Sequence, residues 1–270
     1  MITIFVLYIM NQESLKTLLD DLYFRYKRKY SSVDPVWNLH KFSDAKDIEI
    51  IGLITSCYAY GQVNLINNFI GKLLNRIGNK PHEFTINFTK RKDKKYLSGL
   101  GYRFHTADDL VNLIQSLRTA LDSYLSLQNL FVKNYSEEHN NIIPALSSFS
   151  AKLNHSVKNH KREKSYFAYL LPDPLQGSTC KRLMLFLRWM VRKDEIDFGI
   201  WDKISPAKLI MPVDIHISRV AKKLKLVKRK SVDLKFAVEL TGRLKKIDNA
   251  DPVKYDFSLC HYQMEHGLKT

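Results

Sequence analysis

The segment at residues 44–57 restricts the fold of this chain more than any other. Ile48, Ile51, Leu53, Ile54 and Cys57 recur so densely that a helix through them is apolar nearly all round, and such a helix needs other elements on every side. The rest of the sequence supplies those elements at helical spacing. After a break at Tyr58-Ala59-Tyr60-Gly61-Gln62, the residues Leu65, Ile66, Phe69, Ile70, Leu73 and Leu74 form a second apolar stripe. Upstream, Leu15, Leu18, Leu19, Leu22, Tyr23 and Tyr26 predict a helix over residues 14–30 that ends in Lys27-Arg28-Lys29, before a turn at Asp34-Pro35. Downstream, Thr106-Ala107-Asp108-Asp109 reads as a capping box opening a helix over residues 110–123. Helical patterns follow over 125–135, 142–153 and 231–246, and Asp251-Pro252 starts a final helix. Strand-like alternation is confined to residues 84–88.

The 270 residues contain no internal repeat and no low-complexity linker, and they are enough to bury a substantial core. The expected fold class is therefore all-α, a two-lobed helical bundle. Residues 1–43 are expected to form an N-terminal helix and loop packing on a body made of residues 44–270. Residues 2–10 are apolar but too short to span a bilayer and lack a basic leader, so they are expected as an upstream extension or a short edge segment. The polar, basic residues 155–164 are expected to form a surface crossover. No other stretch is long enough to cross a membrane.

Charge narrows the class of partner. Lysine and arginine number 43 against 27 aspartates and glutamates, a net charge of +16, which is the footprint of a protein that meets a polyanion, most often nucleic acid. A basic surface for an acidic protein or a membrane is the other reading of that charge. Cys57, Cys180 and Cys260 are odd in number and widely spaced, so neither a disulfide framework nor a zinc or iron–sulfur site is indicated, and a cytoplasmic setting is expected. No metal and no cofactor is expected.

Two ionisable residues stand at helix starts. Ser178 and Thr179 follow a Pro172, Pro174, Gly177 breaker cluster and are good N-caps for a helix carrying Leu183, Leu185, Phe186, Leu187, Trp189 and Met190, which puts Lys181 in its first turn. The partially positive helix start, with Arg182 beside it, favours the neutral amine that a nucleophilic lysine requires. Solvated surface is the ordinary fate of such a lysine. Pro212 breaks the chain again, and Asp214 precedes Ile215, Ile217, Val220 and Leu224 as the expected N-cap of the next helix. A carboxylate fixed there also suits a site in which positive charge develops.

These residues carry a resemblance. Leu-Pro and a Gly-Ser-Thr turn ahead of Lys181, then Pro212-Val213-Asp214-Ile215-His216-Ile217-Ser218-Arg219-Val220, resemble the helix-hairpin-helix base-excision DNA glycosylases, with Gly99-Leu100-Gly101-Tyr102-Arg103 and the helix pair of residues 48–78 matching in order. The long spacing from Lys181 to Asp214 is similar to that of the archaeal 8-oxoguanine glycosylase branch. Residues 171–181 depart from the family's compact Leu-Pro-Gly hairpin. The strings around Cys180-Lys181-Arg182-Leu183, Phe186-Leu187-Arg188-Trp189 and Asp251-Pro252-Val253-Lys254-Tyr255-Asp256-Phe257 resemble the bacterial DUF2400 family.

The resemblance implies a two-lobed fold with an active-site cleft between its lobes and a DNA glycosylase with β-lyase activity on an oxidised purine such as 8-oxoguanine. Lys181 would be its Schiff-base nucleophile and Asp214 its catalytic carboxylate. Arg103, Arg182, Arg219, Lys222 and Lys223 would contact DNA phosphates. Tyr58, Tyr60, Tyr102 or Trp189 would stack on the base or wedge into the duplex, core packing being the competing role for each. Double-stranded DNA is the expected partner of a monomeric protein. Two other functions share the same features: a nucleic-acid-binding module without excision activity, and a basic scaffold for a protein partner.

Overall fold

A computed structural model describes residues 12–26, 34–156 and 166–267. Among these residues every regular element is a helix, apart from two isolated bridges, Tyr102 with His105 and Lys193 with Phe198. Two helices form the centre. The first, α2 (Ala45–Cys57), is capped by Asp44, whose carboxylate accepts from Lys46 N at 2.8 Å, and is buried without interruption from Ile48 to Cys57. The second, α10 (Lys181–Val191), is buried from Leu183 to Val191. They pack on each other at Gly52, where a Cβ would stand 2.9 Å from Met190 Cε and 3.3 Å from Leu39 Cδ2.

The remaining helices wrap this pair as the apolar α2 requires. On one side lie α3 (Val63–Arg76), α4 (Pro81–Asn87), α5 (Lys90–Leu97) and α6 (Ala107–Tyr124), with α4 packed on both α2 and α6. Then come α7 (Leu127–Val132), α8 (Ile143–His155) and α9 (Phe167–Leu170). On the other side α1 (Gln12–Arg25) and α11 (Ile215–Lys223) pack on α13 (Asp256–His266), and α12 (Leu234–Lys245) precedes it in the chain. Glu49 is the acid that α2 buries. Its carboxylate accepts from Leu127 N (3.0 Å) and Gln128 N (2.9 Å) at the start of α7, and from Trp201 Nε1 (2.8 Å). Burial raises its pKa against those three donors, so one residue ties α7 and the connection between α10 and α11 to the centre.

The buried apolar residues form one contiguous cluster from Leu15 to Leu259. No helix among the described residues is long and apolar enough to cross a membrane. Several sequence expectations are corrected. Residues 84–88 are not a strand, because Pro81 starts α4 and Thr85 is buried against the body. Asp233, not Ser231, caps α12, accepting from Phe236 N at 3.0 Å. Asp251-Pro252 forms a turn, and the last helix begins at Asp256. The Thr106–Asp109 capping box is present. Residues 2–10, Lys27-Arg28-Lys29 and residues 157–164 of the expected crossover lie outside the described residues.

Candidate active site

The chain reaches α10 through a tightly bonded loop. Asp173 accepts from Leu175 N at 2.9 Å and opens a 3-10 turn at Pro174–Gln176. Gly177 then takes φ 88°, and its carbonyl accepts from Leu234 N at 3.0 Å, which anchors the loop to α12. Ser178 turns back on Cys180 N (3.2 Å), so neither Ser178 nor Thr179 caps the helix. Cys180 holds that position in a left-handed conformation, φ 47°, without a side-chain cap. The first turn of α10 therefore keeps backbone N–H groups uncapped by any side chain.

Lys181 is the first residue of α10 and is half-buried. Its Nζ donates to Ala59 O at 3.1 Å, while Arg182 Nη1 donates to Cys57 O at 2.7 Å and Nη2 to Tyr169 O. Both side chains thus satisfy carbonyls left open where α2 ends. Asp214 is the N-cap of α11, as its sequence position predicts. Its Oδ1 accepts from Ile217 N at 2.9 Å, and its Oδ2 lies 4.0 Å from Cys260 Sγ on α13.

Lys181 and Asp214 line one cavity of about 550 Å³. Its walls include Asp34, Tyr60, Arg188, Asp256, Cys260 and His261. Burial, opposed by Arg188 and Lys181 and reinforced by the charge of Asp214, pushes the Asp256 carboxyl up to about 6. The charges of Lys181 and Asp214 thus both act on Asp256. Asp256 is ion-paired to Arg188, which also meets Asp197 at 3.1 Å. Just past the end of α10, Arg192 pairs with Asp197, with Asp194 at 3.1 Å and with Asp251 at 2.8 Å. Burial works against the charge on both arginines, yet the surrounding carboxylates raise both pKa values. In the same cavity His261 Nε2 stands 3.5 Å from Asp34. Burial pushes the Cys180 thiol up to about 11 and the Cys260 thiol well above its usual value, which keeps both sulfurs protonated and poorly nucleophilic near neutral pH.

The other sequence candidates separate into three groups. Tyr60 is half-buried and lines the cavity, as do Arg182 and His216. Tyr58 and Trp189, at 1% and 0% exposure, do not line it; Tyr58 packs against Phe69 with centroids 4.5 Å apart. Their expected place against a base or as a wedge is corrected to core packing. Tyr102 is also buried, and its hydroxyl donates to Tyr60 O, so it holds the Tyr60 loop in position and offers no free face. Arg103 is exposed above the Tyr60 ring. Arg219, Lys222 and Lys223 stand on α11 away from the cavity lining, without a carboxylate partner among the described residues.

Asp256, Arg188, Asp34 and His261 are site residues that sequence reasoning passed over. One signal for them exists: Arg188 and Arg192 are four residues apart at the end of an apolar run from Leu183 to Val191, and buried arginines need acidic partners. Among the described residues no group of three His, Cys, Asp or Glu side chains is placed to hold a metal ion.

Fold and site together define an all-helical basic protein in which a lysine and an aspartate, each at a helix start, open into one cavity. A family profile matches residues 34–265, and the chain belongs to that family, described as a protein of unknown function (DUF2400). No curated protein and no solved structure matches the chain.

Proposed function

We propose that this protein is a base-excision enzyme of the helix-hairpin-helix kind, a DNA glycosylase with β-lyase activity acting on an oxidised purine such as 8-oxoguanine in double-stranded DNA. The observation that carries the reading is the shared cavity: Lys181 and Asp214 line the same space of about 550 Å³. That volume lies within the range of small-molecule sites and leaves room for a base turned out of the duplex, as excision requires.

The chemistry follows from those two groups. The Lys181 amine attacks the sugar C1′, forming a C–N bond while the bond to the base breaks, and the base departs with its electron pair and takes up the proton that the attacking nitrogen gives up. The sugar ring opens to a Schiff base. Loss of the C2′ proton then expels the 3′ phosphate, and hydrolysis frees the lysine. Asp214, positioned by its cap to Ile217 N, stabilises the positive charge that develops on the sugar. Uncapped N–H groups at the start of α10 and the net charge of +16 favour a phosphate backbone.

A second reading rests on the bond from Lys181 Nζ to Ala59 O. It makes the lysine a clasp between α10 and α2 and leaves a nucleic-acid-binding module without excision. Borohydride reduction in the presence of an 8-oxoguanine duplex and an abasic-site duplex separates the two. Wild-type protein is expected to yield a covalent adduct that Lys181→Ala does not form, with circular dichroism showing that the variant is folded. No adduct and no base release on duplexes carrying oxidised, deaminated or abasic sites would sink the enzymatic reading.

A further inference from the structure

Beyond the cavity, its rim carries aromatic rings for which excision has no use. Tyr60 stands at the edge, and Phe104, Tyr166 and Tyr169 continue outward, with successive centroids 5.6, 5.2 and 5.9 Å apart. The outer three are in water: Phe104 is 49% exposed, Tyr166 41% and Tyr169 63%. Contiguous exposed apolar surface of this kind marks a binding site. The rings are inclined to one another by 31°, 61° and 47°, so they form no closed stack and keep faces open. The guanidinium carbons of Arg103 and Arg182 lie 5.6 and 5.3 Å from the Tyr60 centroid, and neither arginine has a carboxylate partner among the described residues.

The backbone is constrained to present this strip. Arg103 and Phe104 form the tip of a turn closed by the Tyr102–His105 backbone pair, 2.9 Å in each direction. Arg103 takes a left-handed φ of 55°, a conformation that costs a non-glycine residue energy and that tends to persist where function requires it. The turn also fits closely against the Tyr60 loop, since a Cβ at Gly61 would lie 2.6 Å from Arg103 Nη1. The turn leaves Phe104 49% exposed, with Arg103 exposed beside it.

We infer that the strip formed by Phe104, Tyr166, Tyr169 and Arg103 binds unpaired nucleotides, a single-stranded flank whose bases stack on the rings while Arg103 meets its phosphates. A single strand carries both bases and phosphates, as this strip carries rings with two arginines at its Tyr60 end, and every base offers a face to an aromatic ring. In a duplex those faces are already covered. The two arginines, without carboxylate partners among the described residues, repel a cationic partner, and an acidic peptide would leave the ring faces without partners. The site goes beyond excision, because it binds nucleotides whether or not Lys181 reacts.

Fluorescence anisotropy of a labelled oligothymidine of about 12 nucleotides, set against a blunt duplex of equal length, tests this. Wild-type protein is expected to prefer the oligothymidine at equal salt. The double variant Phe104→Ala/Tyr166→Ala is expected to weaken that binding about tenfold or more and to leave duplex binding nearly unchanged, whereas Phe104→Trp retains it. Both side chains are exposed, so the melting temperature of the double variant should stay near that of the wild type; Tyr169→Ala supplies an independent variant. Failure of the wild type to bind oligothymidine, equal or tighter binding of the duplex, or wild-type affinity in the variants overturns the proposal. Oligothymidine binding without a borohydride adduct sinks excision alone, and an adduct with wild-type binding by the variants sinks the strip alone.

Discussion

Asp214 has two duties that single substitutions separate. Its Oδ1 caps α11 through Ile217 N, and its charge belongs to the cavity it shares with Lys181. Asparagine caps a helix as well as aspartate does, while alanine loses the cap at about 1 kcal/mol. Asp214→Asn is therefore expected to match wild-type stability within a few tenths of a kcal/mol, and Asp214→Ala to fall about 1 kcal/mol below it, both measured by urea unfolding. Base release from an 8-oxoguanine duplex should drop in both variants by about 100-fold or more, the usual effect of losing one preorganised charge-stabilising group. Wild-type base release by Asp214→Asn would reduce Asp214 to a cap. The placement of Lys181 and Asp214 at helix starts is legible in the sequence because helix starts are written in neighbouring residues. Asp256 is not, because its partner Arg188 stands 68 residues away, and only the tertiary fold brings them together.

Among the elements, α10 is the one whose loss the molecule would feel most. It is buried from Leu183 to Val191, and it places Arg188, and Arg192 just past its end, among Asp194, Asp197, Asp251 and Asp256. The two arginines hold α10 to the loop behind it and to the start of α13, which fixes two walls of the cavity. Removing one partner of a buried ion pair strands the other charge, at about 3–5 kcal/mol. Arg188→Met should accordingly lower the unfolding free energy by about that amount, and adding Asp256→Asn should restore part of it by removing one stranded carboxylate. A loss under about 1 kcal/mol in urea unfolding would show that the pair behaves as a solvated one. Local pattern predicts the existence of these helices better than their starts. The alternation of Phe84, Ile86 and Phe88 imitates a strand, but Pro81 and packing on α2 and α6 make it a helix. Ser178 and Thr179 are good caps by type, yet the left-handed Gly177 and the tie to Leu234 turn them away and leave Cys180 at the start of α10.

At the scale of the whole molecule the composition announces a net charge of +16 but not where the cations stand. Arg188 and Arg192 are enclosed by carboxylates, while Lys181 and Arg182 donate to backbone carbonyls. The cations available to a polyanion are instead those left without acids, and the end of α11 is the clearest case. Lys222 is exposed with its amine 5.8 Å from the Phe236 ring, Lys223 stands beside it, and neither has a carboxylate partner among the described residues. A helix C-terminus attracts cations electrostatically, so these two charges are also stabilised where they are. If they neutralise phosphates, each releases a counterion, and each contributes about −0.9 to the slope of log affinity against log salt on duplex DNA. Lys222→Ala/Lys223→Ala is then expected to make that slope shallower by about 2, with a uniform loss of affinity across duplex sequences and no change in the borohydride adduct formed at saturating DNA. Anisotropy titrations of a duplex over a series of salt concentrations read the slope directly. An unaltered slope would remove the end of α11 from the duplex-binding surface and leave duplex binding to the cavity mouth.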